Sequence, residues 1–297
     1  MCIRDRPDRV LAVLTAPETG GEAAEPFRFA DPSSPLLNVL DLGATRGDGV
    51  FETIGVGSGR AQALDPHLAR LARSAAMLEM PEPDEAAWRA AVVAVAERLA
   101  DHREAFVKLV YTRGVEGTGR PTGWVLGAPS PDNSGPRTNG VRVVVLDRGL
   151  PHDGVGELPW LLQGAKTLSY AVNMAALREA KRRGADDALF VSSDGYLLEG
   201  PTSNLLIKRG DRLITPSTSL GILAGTTQAE AFRFGRSREM TTSYEVLPKD
   251  ALESADALWL LSSVRNAAPI RSIDGVERPI DAEFNAALNA HLLARRD

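Results

Sequence analysis

Two hydrophobic periods alternate along this chain. Short apolar runs bounded by Gly, Pro, Asn or Asp read as strands at RVLAVL (9–14), LLNVLDL (36–42) and VFETIGV (50–56). GSGR (57–60) is a hairpin turn, and the glycines of TRGDG (45–49) permit unusual backbone angles. Asp65-Pro66 then reads as an N-cap followed by proline at the first helical position. The helix it opens carries Leu68, Leu71, Ala75 and Leu78 on one face. His67, Arg70 and Ser74 fall on another by three-and-four spacing. A second helix spans about 84–100, and strands at FVKLVYT, GWVLG and VRVVVL close the N-terminal half.

The segment from Asp147 to Pro159 lacks any period and reads as a linker. Beyond it the pattern predicts a helix over 169–183, with Tyr170, Met174 and Leu177 on one face and a stop at Gly184. A meander follows: DALFVS, the turn SDG, YLLEG, SNLLIK, the turn RGD and LITP. SLGILAGTTQAEAF is a loop entering a helix, where Thr227 and Glu230 match a capping box. A strand at ALWLLSS, a PIRSIDG turn unit and a helix from about Asp281 to Arg295 complete the chain. The order predicts an α+β fold in two domains, 7–147 and 159–297, joined by a linker at 148–158.

Charge and composition remove several function classes. The 297 residues carry a formal charge of −5, without the basic excess of a nucleic-acid surface. No apolar run approaches the ~18 residues of a membrane span, and the start has no signal-peptide segment. Cys2 is the single cysteine, within an MCIRDR start that reads as a cloning or assembly scar. It leaves no partner for a disulfide within the chain, which fits a reducing cytoplasm. The four histidines lack metal-ligand spacing, so no metal site is expected. GVGSGR (55–60) and GTGR (117–120) lack the lysine and helix of a nucleotide loop; a non-catalytic nucleotide-binding α/β protein is the remote alternative.

The lysines narrow the chemistry. They are Lys108, Lys166, Lys181, Lys208 and Lys249, and only Lys166 joins small and apolar neighbours at the entry to a helix. Lys181 suits a helix C-terminus, Lys208 a turn, Lys249 a Pro-Lys-Asp corner, and Lys108 lies inside a strand. A lysine that forms a Schiff base must lose its proton and needs an aldehyde held in place. Glu199, in a Gly-flanked bend after two leucines, is the carboxylate that would keep a pyridine nitrogen protonated. Read blandly, it caps a turn in EGPTSN. The loop GILAGTT offers N–H groups at Thr226 and Thr227 to an anion, although Thr227 could equally cap its own helix. Arg70 could grip the same anion through two nitrogens, or stand as an ordinary helical arginine.

These residues lie in RGDGVFETI (46–54), HLARL (67–71), GAKTLSYAVNMAALREAKRRGADDALF (164–190), LEGPTSNLLI (198–207) and GILAGTT (221–227). In that order they resemble the class-IV, fold-type IV pyridoxal-phosphate enzymes. That family comprises branched-chain and D-amino-acid aminotransferases and aminodeoxychorismate lyase, and the resemblance spans about 36–280. It implies a small N-terminal α/β domain, a larger β-rich C-terminal domain with pyridoxal 5'-phosphate between them, and a homodimer acting on a small amino substrate. It makes Lys166 the Schiff-base lysine and proton shuttle, and it faces Glu199 to the pyridine nitrogen. It assigns the phosphate to Arg70, Thr226, Thr227 and Ser263, and the ring face or phenolic oxygen to Asn204 and Tyr170. Phe51 and Thr53 become substrate-pocket positions, and Arg46, Arg113 and Arg120 candidates for a substrate carboxylate. FETI after RGDG, and SSVRNAAPI, look most like the lyase branch. The Arg-x-His pair of D-amino-acid aminotransferases is missing, with Arg120 and Thr122 near its place. Branched-chain enzymes typically place a tyrosine one position further from the lysine than Tyr170, where this chain has Ala171, which weakens that reading too. A lyase is therefore the first expectation and a transaminase the second.

Overall fold

The computed structural model describes residues 9–15, 25–153 and 158–295. Cys2, the MCIRDR start and part of the expected linker lie outside the described residues. The chain forms two compact units. One holds the described residues up to Pro131 together with Ala165–Ser169 and Arg295; the other holds Asp132 onward, with Tyr170–Ala294.

The first unit runs β1 (Val10–Leu14), β2 (Phe27–Ala30), α1 (Leu42–Arg46), β3 (Gly49–Gly57), β4 (Arg60–Ala61), α2 (Leu64–Met77), α3 (Glu85–Glu97), β5 (Glu104–Thr112) and β6 (Thr122–Pro129). Its strands pair antiparallel in the order β2-β1-β6-β5-β3-β4. Period-two alternation sends Val50, Glu52, Ile54, Val107, Leu109 and Val125 to a buried face. α2 and α3 cover that face so closely that a Cβ on Gly127 would lie 2.5 Å from Val95 and one on Gly123 2.8 Å from Trp88. The opposite face, with Phe51, Thr53, Lys108 and Trp124, is only partly covered. Ser58 and Gly59 both have positive φ, giving the two-residue turn that the twist of the β3–β4 hairpin requires.

Three expectations change in this unit. LLNVLDL is not a strand: Leu36, Leu37, Val39 and Leu40 are exposed, Val39 at 83%, and Asp41 caps α1 by accepting the Gly43 N–H. Apolar content without alternation was no warrant for a strand there. The strand FRFA, at four residues too short to stand out, is instead β2. α2 begins at Leu64, so Pro66 is its third residue, where the N–H has no helical acceptor anyway. Asp65 pairs with Arg89 of α3 instead of capping. Asp84 does cap α3, accepting from Ala87 N.

The second unit runs α4 (Ser134–Asn139), β7 (Val141–Asp147), α5 (Ala171–Arg182), β8 (Asp187–Val191), β9 (Asn204–Arg209), β10 (Arg212–Pro216), α6 (Thr226–Ser237), β11 (Thr241–Glu245), β12 (Ala257–Ser262), β13 (Asn266–Ile273), β14 (Val276–Glu277) and α7 (Ala282–Ala294). Its mixed sheet is ordered β11-β10-β9-β12-β13-β7-β8, with β14 on β13. Leu205, Ile207, Leu258 and Leu260 join one core, while Leu206, Trp259 and Leu261 join another with Phe232, Phe234, Phe284 and Leu288 from α6 and α7. Both faces are apolar, so the strands read as unbroken hydrophobic runs.

β7 belongs to this sheet, between β13 and β8, and not to the first half. The units therefore divide after Pro131, and not at residue 147. β8 pairs with β7 in parallel along one edge, while on the other Val191 pairs antiparallel with Leu197 across the SDG turn, so the expected meander holds there and at the β9–β10 hairpin. α5 buries Ala176 and Ala180 against Phe190 and Ala188, and leaves Met174 exposed. The capping box is also absent: α6 starts at Thr226 after Gly225, and Glu230 pairs with His291 of α7 and Arg233. Mixed α+β architecture in two units is as expected.

Candidate active site

In the first unit the chain from Lys166 to Leu168 lies antiparallel along β3. The Phe51 N–H donates to the Lys166 carbonyl (3.0 Å), and the Leu168 N–H to the Gly49 carbonyl (2.8 Å). From the other side Ser74 of α2 accepts the Lys166 N–H at 3.1 Å. The backbone of this lysine is thus fixed by a strand and a helix. Its Nζ lies 4.5 Å from the centroid of the Phe51 ring, within cation–π reach.

Behind Phe51, on the buried face of β3, sits a charged cluster. Glu52, wholly buried, accepts from Arg70 Nε and Nη2 at 2.7 Å each and from His67 Nδ1 at 2.7 Å. Burial alone would raise the Glu52 carboxyl, but the Arg70 charge and hydrogen bonds, then His67, hold it well below the usual range. Burial pushes the His67 imidazole below its ordinary value. Arg70, expected to face an anion, has two nitrogens committed to Glu52.

In the second unit Glu199 is held through both oxygens. Oε1 accepts the Leu223 N–H at 3.1 Å, and Oε2 accepts from Asn204 Nδ2 at 3.1 Å. Asn204 also donates to the Leu223 carbonyl. A Cβ on Gly225 would fall 1.9 Å from Asn204 Oδ1, so glycine is what lets this amide reach the carboxylate. α6 begins at the next residue. Gly225 has no side chain to cap it, and Thr226 Oγ1 lies 3.4 Å from Ser263 Oγ. Thr226, Thr227 and Ser263 are thereby gathered at one helix N-terminus, an arrangement suited to an anion. Tyr170 donates to the Pro201 carbonyl at 2.7 Å, and burial, then the Glu199 and Asp187 charges, push its phenol up to about 12.

The substrate candidates separate. Phe51 and Thr53 share the partly open face of β3. Arg113 is spent on the Asp48 carboxylate (2.6 and 3.2 Å) and the Leu78 and Glu79 carbonyls, which ties β5 to the end of α2. Arg120 and Arg46 are exposed, the former in the β5–β6 loop and the latter in the last turn of α1. One residue was passed over. Lys108 sits directly opposite Thr53 in the β3–β5 pair, exposed, with Nζ 5.9 Å from the Phe51 ring centroid. Its placement inside a strand was visible; its neighbours across the sheet were not.

Residues 49–273 match the amino-transferase class IV family. The chain belongs to that family. A bifunctional aminodeoxychorismate lyase / D-amino acid transaminase of Mycobacterium tuberculosis is 45% identical over 89% of this chain and 96% of its own length. A fold IV-transaminase of Curtobacterium pusillum is 54% identical, with a TM-score of 0.93 over 97% of this chain and 98% of its own. A hypothetical aminotransferase of Mycobacterium tuberculosis in a PLP-bound form is 41% identical, with a TM-score of 0.87 over 96% and 99%. The fold is fold-type IV, and the protein is an enzyme dependent on pyridoxal phosphate. Each unit taken by itself holds donors that fit a part of that cofactor. In the first, an amine beside a ring face suits an aldehyde; in the second, a doubly held carboxylate and hydroxyls at an uncapped helix N-terminus suit a pyridine nitrogen and a phosphate. Ser203 Oγ, buried next to this carboxylate loop, has no hydrogen-bond partner among the described residues.

Proposed function

We propose that this enzyme removes pyruvate from 4-amino-4-deoxychorismate and leaves 4-aminobenzoate, a step of folate-precursor synthesis. The observation that carries this reading is the open face of β3 and β5, where the Phe51 ring lies 4.5 Å from the Lys166 amine and 5.9 Å from the Lys108 ammonium, and Thr53 stands opposite Lys108. A flat ring bearing carboxylates matches an aromatic face beside a cation better than a branched aliphatic chain does. The name of the 45% identical relative supports it.

Bound through Lys166, pyridoxal phosphate supplies an electron sink that lets a C–H bond next to the amine ionise. Lys166 Nζ, once displaced by the substrate amine, takes that proton from the carbon bearing the nitrogen. Loss of the C–O bond to the enolpyruvyl group makes the ring aromatic, and a proton returned to the departing enol carbon gives pyruvate. Glu199 keeps the pyridine nitrogen protonated. Arg70, with Thr226, Thr227 and Ser263, binds the phosphate; Asn204 holds Glu199 in place; Tyr170 borders the ring. Lys108 receives a substrate carboxylate.

Amino transfer to a 2-oxo acid is the second reading, favoured by the name of the 54% identical structure. It shares the proton removal by Lys166 and differs in where that proton is returned. Borohydride reduction of the purified enzyme, with the adduct mapped by peptide, tests the common half: the label belongs on Lys166. Pyruvate release from aminodeoxychorismate without an amino acceptor supports the lyase. Amino transfer with no lyase turnover would leave the transaminase alone.

Lys108→Ala is expected to raise KM about tenfold, the scale of one charge-assisted hydrogen bond, with kcat little changed. An unchanged KM would remove Lys108 from the substrate. We also propose a cytoplasmic homodimer, because Leu36, Leu37, Val39 and Leu40 form an exposed apolar run of the kind that a second copy covers. Light scattering should give twice the chain mass; a monomer at micromolar concentration would refute it.

A further inference from the structure

α2 presents His67, Arg70 and Ser74 on one face, two of them to Glu52 beneath β3 and the third to the Lys166 backbone. His67 and Arg70 converge on Glu52, while Ser74, buried like them, holds the backbone N–H of Lys166. We propose that this stripe, clamped on Glu52, is one positioning unit. Glu52 and His67 orient the Arg70 guanidinium toward the phosphate of the cofactor, and Ser74 places the Lys166 backbone. One helix thereby fixes both the anion grip and the amine.

The argument is geometric. Two of the three guanidinium nitrogens of Arg70 are bonded to the two oxygens of a single carboxylate, which fixes the plane of the group. The carboxylate is itself held by His67, which lies one turn earlier on the same helix. A cluster of this kind is a poor device for stability alone. Desolvating the charges costs so much that apolar side chains of similar volume would join α2 to β3 at least as well. Its distinctive property is direction: an apolar contact cannot aim a guanidinium. Four residues beyond Arg70 the same face reaches Lys166, whose carbonyl is already taken by Phe51 N–H. The Ser74 bond holds the peptide on the other side of the lysine Cα and sets the point from which the lysine side chain extends to the Phe51 ring.

The proposal rests on the reading that pyridoxal phosphate is bound through Lys166. Its test separates the two by comparing pyridoxal phosphate with pyridoxal, which lacks the phosphate. Full-length enzyme is stripped of cofactor, and both affinities are measured by visible absorption, beside the melting temperature of the cofactor-free form. Glu52→Gln should weaken pyridoxal phosphate about tenfold or more and leave pyridoxal within about twofold, since only the first carries the anion. Ser74→Ala should weaken both by a similar factor of about three to ten and lower kcat, because the amine is common to both. His67→Gln, which retains a donor toward Glu52, should give an intermediate loss confined to pyridoxal phosphate, and it replaces Glu52→Gln if that variant does not fold. A lower melting temperature with both affinities unchanged would reduce the cluster to a structural tie. Equal loss for the two ligands in Glu52→Gln would also overturn the proposal. If wild-type enzyme reduced with pyridoxal phosphate carries no label on Lys166, the underlying cofactor reading fails, and that result is visible before any variant is made.

Discussion

Lys166→Ala is expected to lower turnover by about four orders of magnitude, whichever reaction the enzyme favours. A positioned base in proton transfer contributes about 10²–10⁴-fold, and loss of the covalent attachment point adds to it. The structure supports so large an effect because, among the described residues of the same unit, the nearest basic groups are engaged or set apart from the amine. Arg70 and His67 are turned to Glu52 on the buried face of β3, and Lys108 lies opposite Thr53 with its Nζ 5.9 Å from the Phe51 ring centroid. The variant should fold, since Lys166 is tied to Ser74, Phe51 and β3 through backbone atoms that alanine retains. Single-turnover rates, with peptide mapping after borohydride, provide the measurement. Residual turnover above about 1% of wild type would mean that another base removes the proton, and would end the assignment of Lys166 as the shuttle.

What could be read from the chain follows from how local each signal is. Lys166, Glu199 and the Thr226–Thr227 turn stand out because their meaning lies in adjacent residues: a lysine entering a helix, a carboxylate in a bend, glycine before an N-terminus. The stripe of His67, Arg70 and Ser74 was legible for the same reason, as helical spacing. Its target was not. Glu52 is 15 residues from His67 and 18 from Arg70, and only the seating of α2 on β3 brings them together. Lys108 was missed on the same ground, since strand register decides that it faces Thr53. The assignment of β7 to the first half failed because a hydrophobic run says that a strand is buried without naming its neighbours. LLNVLDL shows the reverse error, an apolar segment that this chain alone does not bury.

Glu199→Gln is expected to lower kcat by two to three orders of magnitude while cofactor affinity falls far less. A carboxylate within hydrogen-bonding distance raises the pKa of a cationic partner by about one to three units, and each unit is tenfold in the protonated fraction once the group titrates above it. An amide of the same shape removes the charge and retains much of the geometry. Its oxygen can still accept the Leu223 N–H, and Asn204 can turn its own amide to meet the new NH₂ group. Glu199→Ala removes both and should release Asn204 from the carboxylate that it now contacts. The pair of variants therefore separates charge from shape. If charge matters, Gln approaches Ala in kcat while its cofactor-free melting temperature stays near wild type. The activity of Glu199→Gln should also recover as pH falls, because protons from solvent then replace what the carboxylate supplied to the ring nitrogen. Wild-type kcat in Glu199→Gln would show that the carboxylate serves only to brace the Leu223 turn, and the electronic role assigned to it would have to be abandoned.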